Sequence, residues 1–161
     1  VILRYPSLNR LGVVKSLTRE RRLRLAQYLE AEALAKKLPA MRVREYLDWL
    51  AIPEWIAPAL AATRRTGAEP DEVLPERSED AEVRAWLRVF VARASLGRQL
   101  LVASGIERFP WLSCEARSSG WLDELIDAKG YGPTVVSRDR GALVVFYQEE
   151  HEYQAFLARQ D

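Results

Sequence analysis

Residues 111–160 decide the reading of the fold: WLSCEAR (111–117), WLDELIDAKGYG (121–132), PTVVSRDRGALVVFY (133–147) and QEEHEYQAFLARQ (148–160). The runs TVV and ALVVFY are β-branched and aromatic, and the intervening SRDRG supplies polar residues and a glycine, so together they predict a β-hairpin. WLDELIDAK has helical spacing with Trp121 and Leu125 inward, and EEHEYQAFLA is read the same way with Tyr153, Phe156 and Leu157 inward. With WLSCEAR taken as a short strand, the expected order is strand, helix, hairpin, helix.

Upstream the apolar period is read as helical. Thr18 is a candidate N-cap for a helix over 18–38, with Leu23, Ala26, Leu29, Ala33, Leu34 and Leu38 on its buried face, and Pro39 ends it. A second helix is expected over 41–51, presenting Val43, Tyr46, Leu47 and Leu50. Pro53 sits where a third would begin, and Pro58 forces that helix to start late or kink. Residues 66–78, TGAEPDEVLPERS, have the composition of a linker. Beyond them Ser78 and the acidic Glu79, Asp80 and Glu82 predict a helix start, with Val83, Leu87, Phe90, Val91, Ala94 and Leu101 forming its buried stripe up to Gly105. The expected fold class is therefore α+β: a mostly helical domain over residues 1–107, then a small sheet-and-helix unit over 108–161.

Bulk composition narrows the class further. At 161 residues and 48% hydrophobic content the chain can build a packed core. The single Cys114 excludes an internal disulfide, and with the single His151 it cannot make a Cys/His zinc site. No metal or cofactor is expected, and a reducing, cytoplasmic setting is the default. No apolar run approaches the roughly 18 residues of a membrane span, and VILRYPSLNRLG at the start lacks the charged-then-apolar order of a secretory signal. Net charge is +1, spread as about +7 over residues 1–65, −3 over 66–107 and −3 over 108–161. On this count the basic face is at the front, where Arg19, Arg21, Arg22 and Arg24 could track phosphates.

The ordered motifs of the last fifty residues resemble the DNA-binding module of Phd/YefM-type antitoxins. Glu115, Ala116 and Arg117 fill the family's Glu-Ala-Arg signature, with one residue more than usual before the helix at Trp121. Gly132-Pro133 is similar to the turn into its first long strand, Ser137-Arg138 to its Thr-Arg, and Gly141 falls at the same distance from the arginine. Glu149, Glu150 and Glu152 leading to Tyr153 look like its acidic helix. The resemblance covers about residues 111–157. It implies a homodimer, because so small a sheet buries too little alone, and two-fold symmetry suits palindromic operator DNA. It also implies DNA contacts by Arg117, Arg138 and Arg140, and a cognate toxin held by the helical region. The family generally places this module first, whereas here it comes last.

Other constellations are weaker. Residues 42–60 can be laid on a helix-turn-helix, but the reading helix would offer Glu54, Trp55 and Pro58 to the bases, so a plain helical hairpin is the better reading. Asp123 and Asp127 lie one turn apart, as on any solvated helix face. Cys114 with His151 would need proximity in space to form a nucleophile and base. No catalytic set emerges, and the expectation is a non-enzymatic protein. The alternative to an antitoxin-like regulator is a protein-interaction or assembly subunit that uses the C-terminal unit only to dimerise, a role that exposed Trp side chains would favour.

Overall fold

The computed structural model describes residues 18–161, so the reading of the first twelve residues lies outside the described part. In chain order the elements are α1 (Arg19–Lys36), β1 (Met41–Leu47), a 3₁₀ turn (Trp49–Ala51), α2 (Ile56–Thr63), β2 (Glu72–Pro75), α3 (Asp80–Ala94), β3 (Gln99–Ala103), β4 (Trp111–Ala116), α4 (Trp121–Lys129), β5 (Thr134–Ser137), β6 (Ala142–Gln148) and β7 (Glu152–Arg159). The strands form one antiparallel sheet of seven in the order β1-β4-β3-β5-β6-β7-β2. The chain passes from β4 through α4 to β5 across β3, a split β-α-β arrangement.

This corrects the expected fold class of a helical region followed by a small separate unit. The sheet takes strands from both sides of residue 107, and two expected helices are strands. Over residues 41–47 the sequence MRVREYL alternates apolar and charged side chains up to Val43, the signature of a strand. A bulge between Val43 and Glu45 then inserts one residue, so Val43 and Tyr46 pair with Cys114 and Leu112 on the same face. Their three-residue spacing imitates a helical period. A helix-turn-helix and a helical hairpin over 42–60 are both replaced by strand, 3₁₀ turn and helix.

The closing segment errs for a related reason. In β7, Tyr153 and Ala155 face one side of the sheet and Phe156 the other, and all three are buried. A strand covered on both faces has no polar side, so apolar residues at spacings of three and four arise without a helix. The same cause hides β3, whose Leu100, Leu101 and Val102 are all buried and which falls within the helix expected up to Gly105, with Leu101 on its stripe. That helix stops at Ala94, where Ser95 takes φ 52° in the left-handed region. The expected linker over 66–78 contains the edge strand β2.

Helices cover both faces. On one, α1, α3 and α4 bury Tyr28, Ala31, Leu87, Phe90, Leu122 and Leu125 against Leu100, Leu112, Val144 and Phe146. On the other, α2 lays Ile56 and Leu60 on Leu101, Leu143 and Val145. Pro58 falls in the first turn of α2, where a missing N–H breaks no intrahelical bond. Thr18 caps α1 by accepting from the Arg21 amide at 3.3 Å, but the buried face of that helix is Leu25, Tyr28 and Ala31. Leu23, expected inside, is 44% exposed. Among the described residues, no helix is long and apolar enough to cross a membrane.

Candidate functional site

In an antiparallel sheet the start of one strand lies beside the end of its neighbours, and that juxtaposition builds the site. Arg98 immediately precedes β3, Arg117 immediately follows β4, Arg138 follows β5, and Arg140 lies in the turn before β6. Pairing of these strands gathers the four arginines at one end of the sheet. The Ala116 amide donates to the Arg98 carbonyl at 2.8 Å, and the Arg138 amide to the Gln99 carbonyl at 2.9 Å. All four side chains are exposed.

The turns around them are held by specific contacts. Gly97, at φ 75°, carries the chain from α3 into β3, and the Arg140 side chain packs in van der Waals range of where its Cβ would be. Arg140 Nη1 donates to the Ser95 carbonyl at 2.8 Å. Ser137, buried, donates its hydroxyl proton to the Leu96 carbonyl and accepts from the Arg140 amide at 3.1 Å. Arg138 lies back along the sheet, with Nη1 donating to Ser113 Oγ at 2.7 Å. The Arg117 amide donates to the Ala40 carbonyl at 2.8 Å, which joins the start of β1 to the same end.

Among the described residues, Arg98, Arg117, Arg138 and Arg140 form no ion pair. Of the nearby carboxylates, Glu115 pairs with Arg44, and Glu124 accepts the Ala40 amide at 2.7 and 3.0 Å. Asp139 stands exposed in the hairpin turn between Arg138 and Arg140. Between the β3 and β4 ends and the start of α4 opens a cleft of about 380 Å³ lined by Gly97, Arg98, Arg117, Ser118, Ser119 and Trp121. Uncompensated guanidinium groups beside hydroxyls and an indole suit an anionic, planar ligand.

The structure divides the arginines named from sequence. Arg117, Arg138 and Arg140 come together. Arg19, Arg21, Arg22 and Arg24 lie at the far end of α1, a helix of 18 residues and so about 27 Å long. There Arg24 stacks over Phe109 at 5.7 Å from the ring centroid, in the β3–β4 loop at the opposite end of the sheet. Arg98, which falls within the helix expected up to Gly105 and is not singled out by the sequence, belongs with the first group; the apolar run Leu100–Val102 beside it is the signal for a strand. Trp121 was assigned to the core, and it does pack there while also lining the cleft.

Other candidates resolve structurally. Cys114 is buried on the face covered by α1, α3 and α4, where desolvation pushes its thiol up to about 12, while His151 is exposed in the β6–β7 turn at the other end. They do not form a nucleophile–base pair. Asp123 and Asp127 bind Arg84, and Asp123 also binds Arg88, tying α3 to α4. The Arg88 hydrogen bond is the main cause that holds the Asp123 carboxyl below the usual range. A larger cleft of about 490 Å³ carries Arg64 and Arg65 opposite Glu149, Glu150 and His151, and the Thr63 and Tyr147 hydroxyls at its wall satisfy each other at 2.6 Å. Among the described residues, no group of three or more His, Cys, Asp or Glu side chains is placed to hold a metal ion. No family model matches the chain, and no match to it is found among curated proteins or solved structures.

Proposed function

We propose that the protein is a non-enzymatic, cytoplasmic nucleic-acid-binding protein whose contact surface is the basic end of the sheet. One observation carries the reading: four arginines from three loops converge and, among the described residues, have no carboxylate partner, so their charge is available to phosphates. Guanidinium groups suit phosphate recognition because their donors form a planar fork that engages two oxygens at once. Operator binding and toxin neutralisation, as implied by the Phd/YefM resemblance, are narrower proposals within this one. Two of their supports are weaker: residues 152–159 form a strand where that family has an acidic helix, and a seven-stranded sheet does not need a second copy to bury its core.

Fluorescence anisotropy with labelled oligonucleotides tests the reading. Four neutralised phosphates give a log–log salt slope of about −3.6 on duplex or −2.8 on single strands, a loss of roughly 50- to 150-fold between 50 and 200 mM salt. Changing Arg98, Arg117, Arg138 and Arg140 together to Ala should abolish this binding. Binding that is insensitive to salt, or unchanged in that variant, removes the proposal.

A second reading, an assembly subunit contacting a protein, has its own observation. Leu50 is 95% and Trp49 46% exposed, side by side on the 3₁₀ turn away from the arginines. Trp is enriched at protein contacts, and Leu50 extends the exposed apolar area beside it. Leu50→Asp separates the two readings, since it leaves nucleic-acid binding intact on the first and removes function on the second.

A further inference from the structure

Building on the nucleic-acid reading, we infer that the target is single-stranded and that the cleft beside α4 holds one nucleotide, its base against Trp121 and its phosphate between Arg98 and Arg117. The shape of the basic end points to a single strand. Duplex DNA is read in its major groove by a projecting helix or a two-stranded ribbon. Here α1 and α3 reach this end only with their C-termini and α4 only with its N-terminus. The one ribbon, β5–β6, does not project: its turn is tied to the α3–β3 turn by Arg140 and Ser137. At its base the Gln160 side chain packs against Gly141, where an added Cβ would come within 2.9 Å.

A single strand needs a positive track and an aromatic platform. Both are present. The backbone positions of Arg117, Arg98, Arg138 and Arg140 follow the spatial order β4, β3, β5, β6 and span about 14 Å at the usual strand spacing of about 4.8 Å, with the Arg138 and Arg140 side chains reaching back over this span to Ser113 and Ser95. That length accepts roughly four nucleotides at a stacked rise of about 3.4 Å. The cleft lies at the β4 end of this track, and its volume of about 380 Å³ falls within the ~300–1,000 Å³ of small-ligand sites. Trp121 forms one wall. Ser118 and Ser119 add hydroxyl donors beside the two arginines, and Ser118 Oγ already accepts the Gly120 amide at 3.4 Å. Asp139 stands exposed at the Arg138–Arg140 end of the track, and Asp161 follows Gln160, whose amide donates to the Gly141 carbonyl at that same end.

The full chain is titrated by anisotropy against a labelled 12-nucleotide single strand, its duplex, and the same strand carrying abasic sites. The single strand is expected to bind at least tenfold tighter than the duplex. Trp121→Ala should weaken it by about 5- to 150-fold, the range for one stacked base, with Trp121→Phe recovering most of the loss. The abasic strand keeps its phosphates and needs no variant protein, so it covers the case in which Trp121→Ala fails to fold; it should show a comparable loss. Equal affinity for duplex and single strand, or for abasic and normal strands, overturns the inference while leaving the basic surface as a phosphate contact. Failure to bind any of the three overturns the underlying reading as well.

Discussion

Ser137→Ala tests whether fold and site are coupled as the structure implies. Ser137 is 1% exposed, and its hydroxyl links three segments: it donates to the Leu96 carbonyl, accepts from the Arg140 amide, and sits at the end of β5 facing the helices. Truncation removes two hydrogen bonds, each worth about 1 kcal/mol net, and strands the Leu96 carbonyl in a buried setting, where an unmet polar group costs about 1–3 kcal/mol. These effects overlap, so a total of about 2–3 kcal/mol is expected. For a chain of this size 1 kcal/mol moves Tm by about 2–4 °C, which puts the drop at about 4–12 °C. Differential scanning calorimetry measures it. The same substitution frees the turn bearing Arg138 and Arg140, so oligonucleotide affinity should fall at a temperature where the variant is still folded. A Tm within 1 °C of the parent would mean that the hydroxyl does not bridge these turns, and the account of how Arg140 is positioned would fail with it.

Three further outcomes test separate layers of the structure. Ile56→Ala should cost about 2–5 kcal/mol in urea unfolding, because Ile56 is fully buried between α2 and the sheet; a cost under 1 kcal/mol would deny that α2 covers the second face. The Asp123 carboxyl is held below its unfolded range, so it adds stability above about pH 4 that is lost as pH falls through its folded value. Asp123 is one-third exposed, so its contribution stays under about 1 kcal/mol. Asp123→Asn should therefore melt slightly below the parent at pH 7, with the gap narrowing as pH falls below about 4. Cys114, with its thiol pushed up to about 12, should resist a thiol reagent at pH 8 until denaturant is added; fast labelling of the folded chain would contradict its burial.

The parts of the fold legible in the sequence were those with one clear period. β4, α4 and the β5–β6 hairpin stand where the pattern of WLSCEA, WLDELIDAK and TVVSRDRGALVVFY puts them. The remainder was hidden by burial on two faces. Strands β3 and β7 lie in a sheet with helices on both sides, so they lack the polar face that makes a strand recognisable, and β1 loses its alternation at the Val43–Glu45 bulge. Helix α1 shows the converse problem. Its apolar residues run nearly all the way round, so periodicity identifies a helix but does not say that Leu25, Tyr28 and Ala31 face inward while Leu23 does not.

The candidate site was half legible, and the missing half follows from topology. Counted along the chain, residues 108–161 are acidic, which argues against their binding a polyanion. An antiparallel sheet sorts charge by strand end instead. Glu149, Glu150 and Glu152 fall in or beside the β6–β7 turn, while Arg117, Arg138 and Arg140 fall at the opposite end, with the length of β6, seven residues or about 24 Å, between them. That distance exceeds the ~8 Å over which salt screens charge in physiological conditions, so the acidic turn does little to weaken the basic end. Arg98 joins the same end from a segment that is itself acidic by count. The dense cluster Arg19, Arg21, Arg22 and Arg24, by contrast, is placed beside Glu20, Glu107 and Arg108, one helix length from the other arginines. Charge runs along a sequence single out only the α1 cluster, and it is strand pairing that makes the sparser arginines a surface.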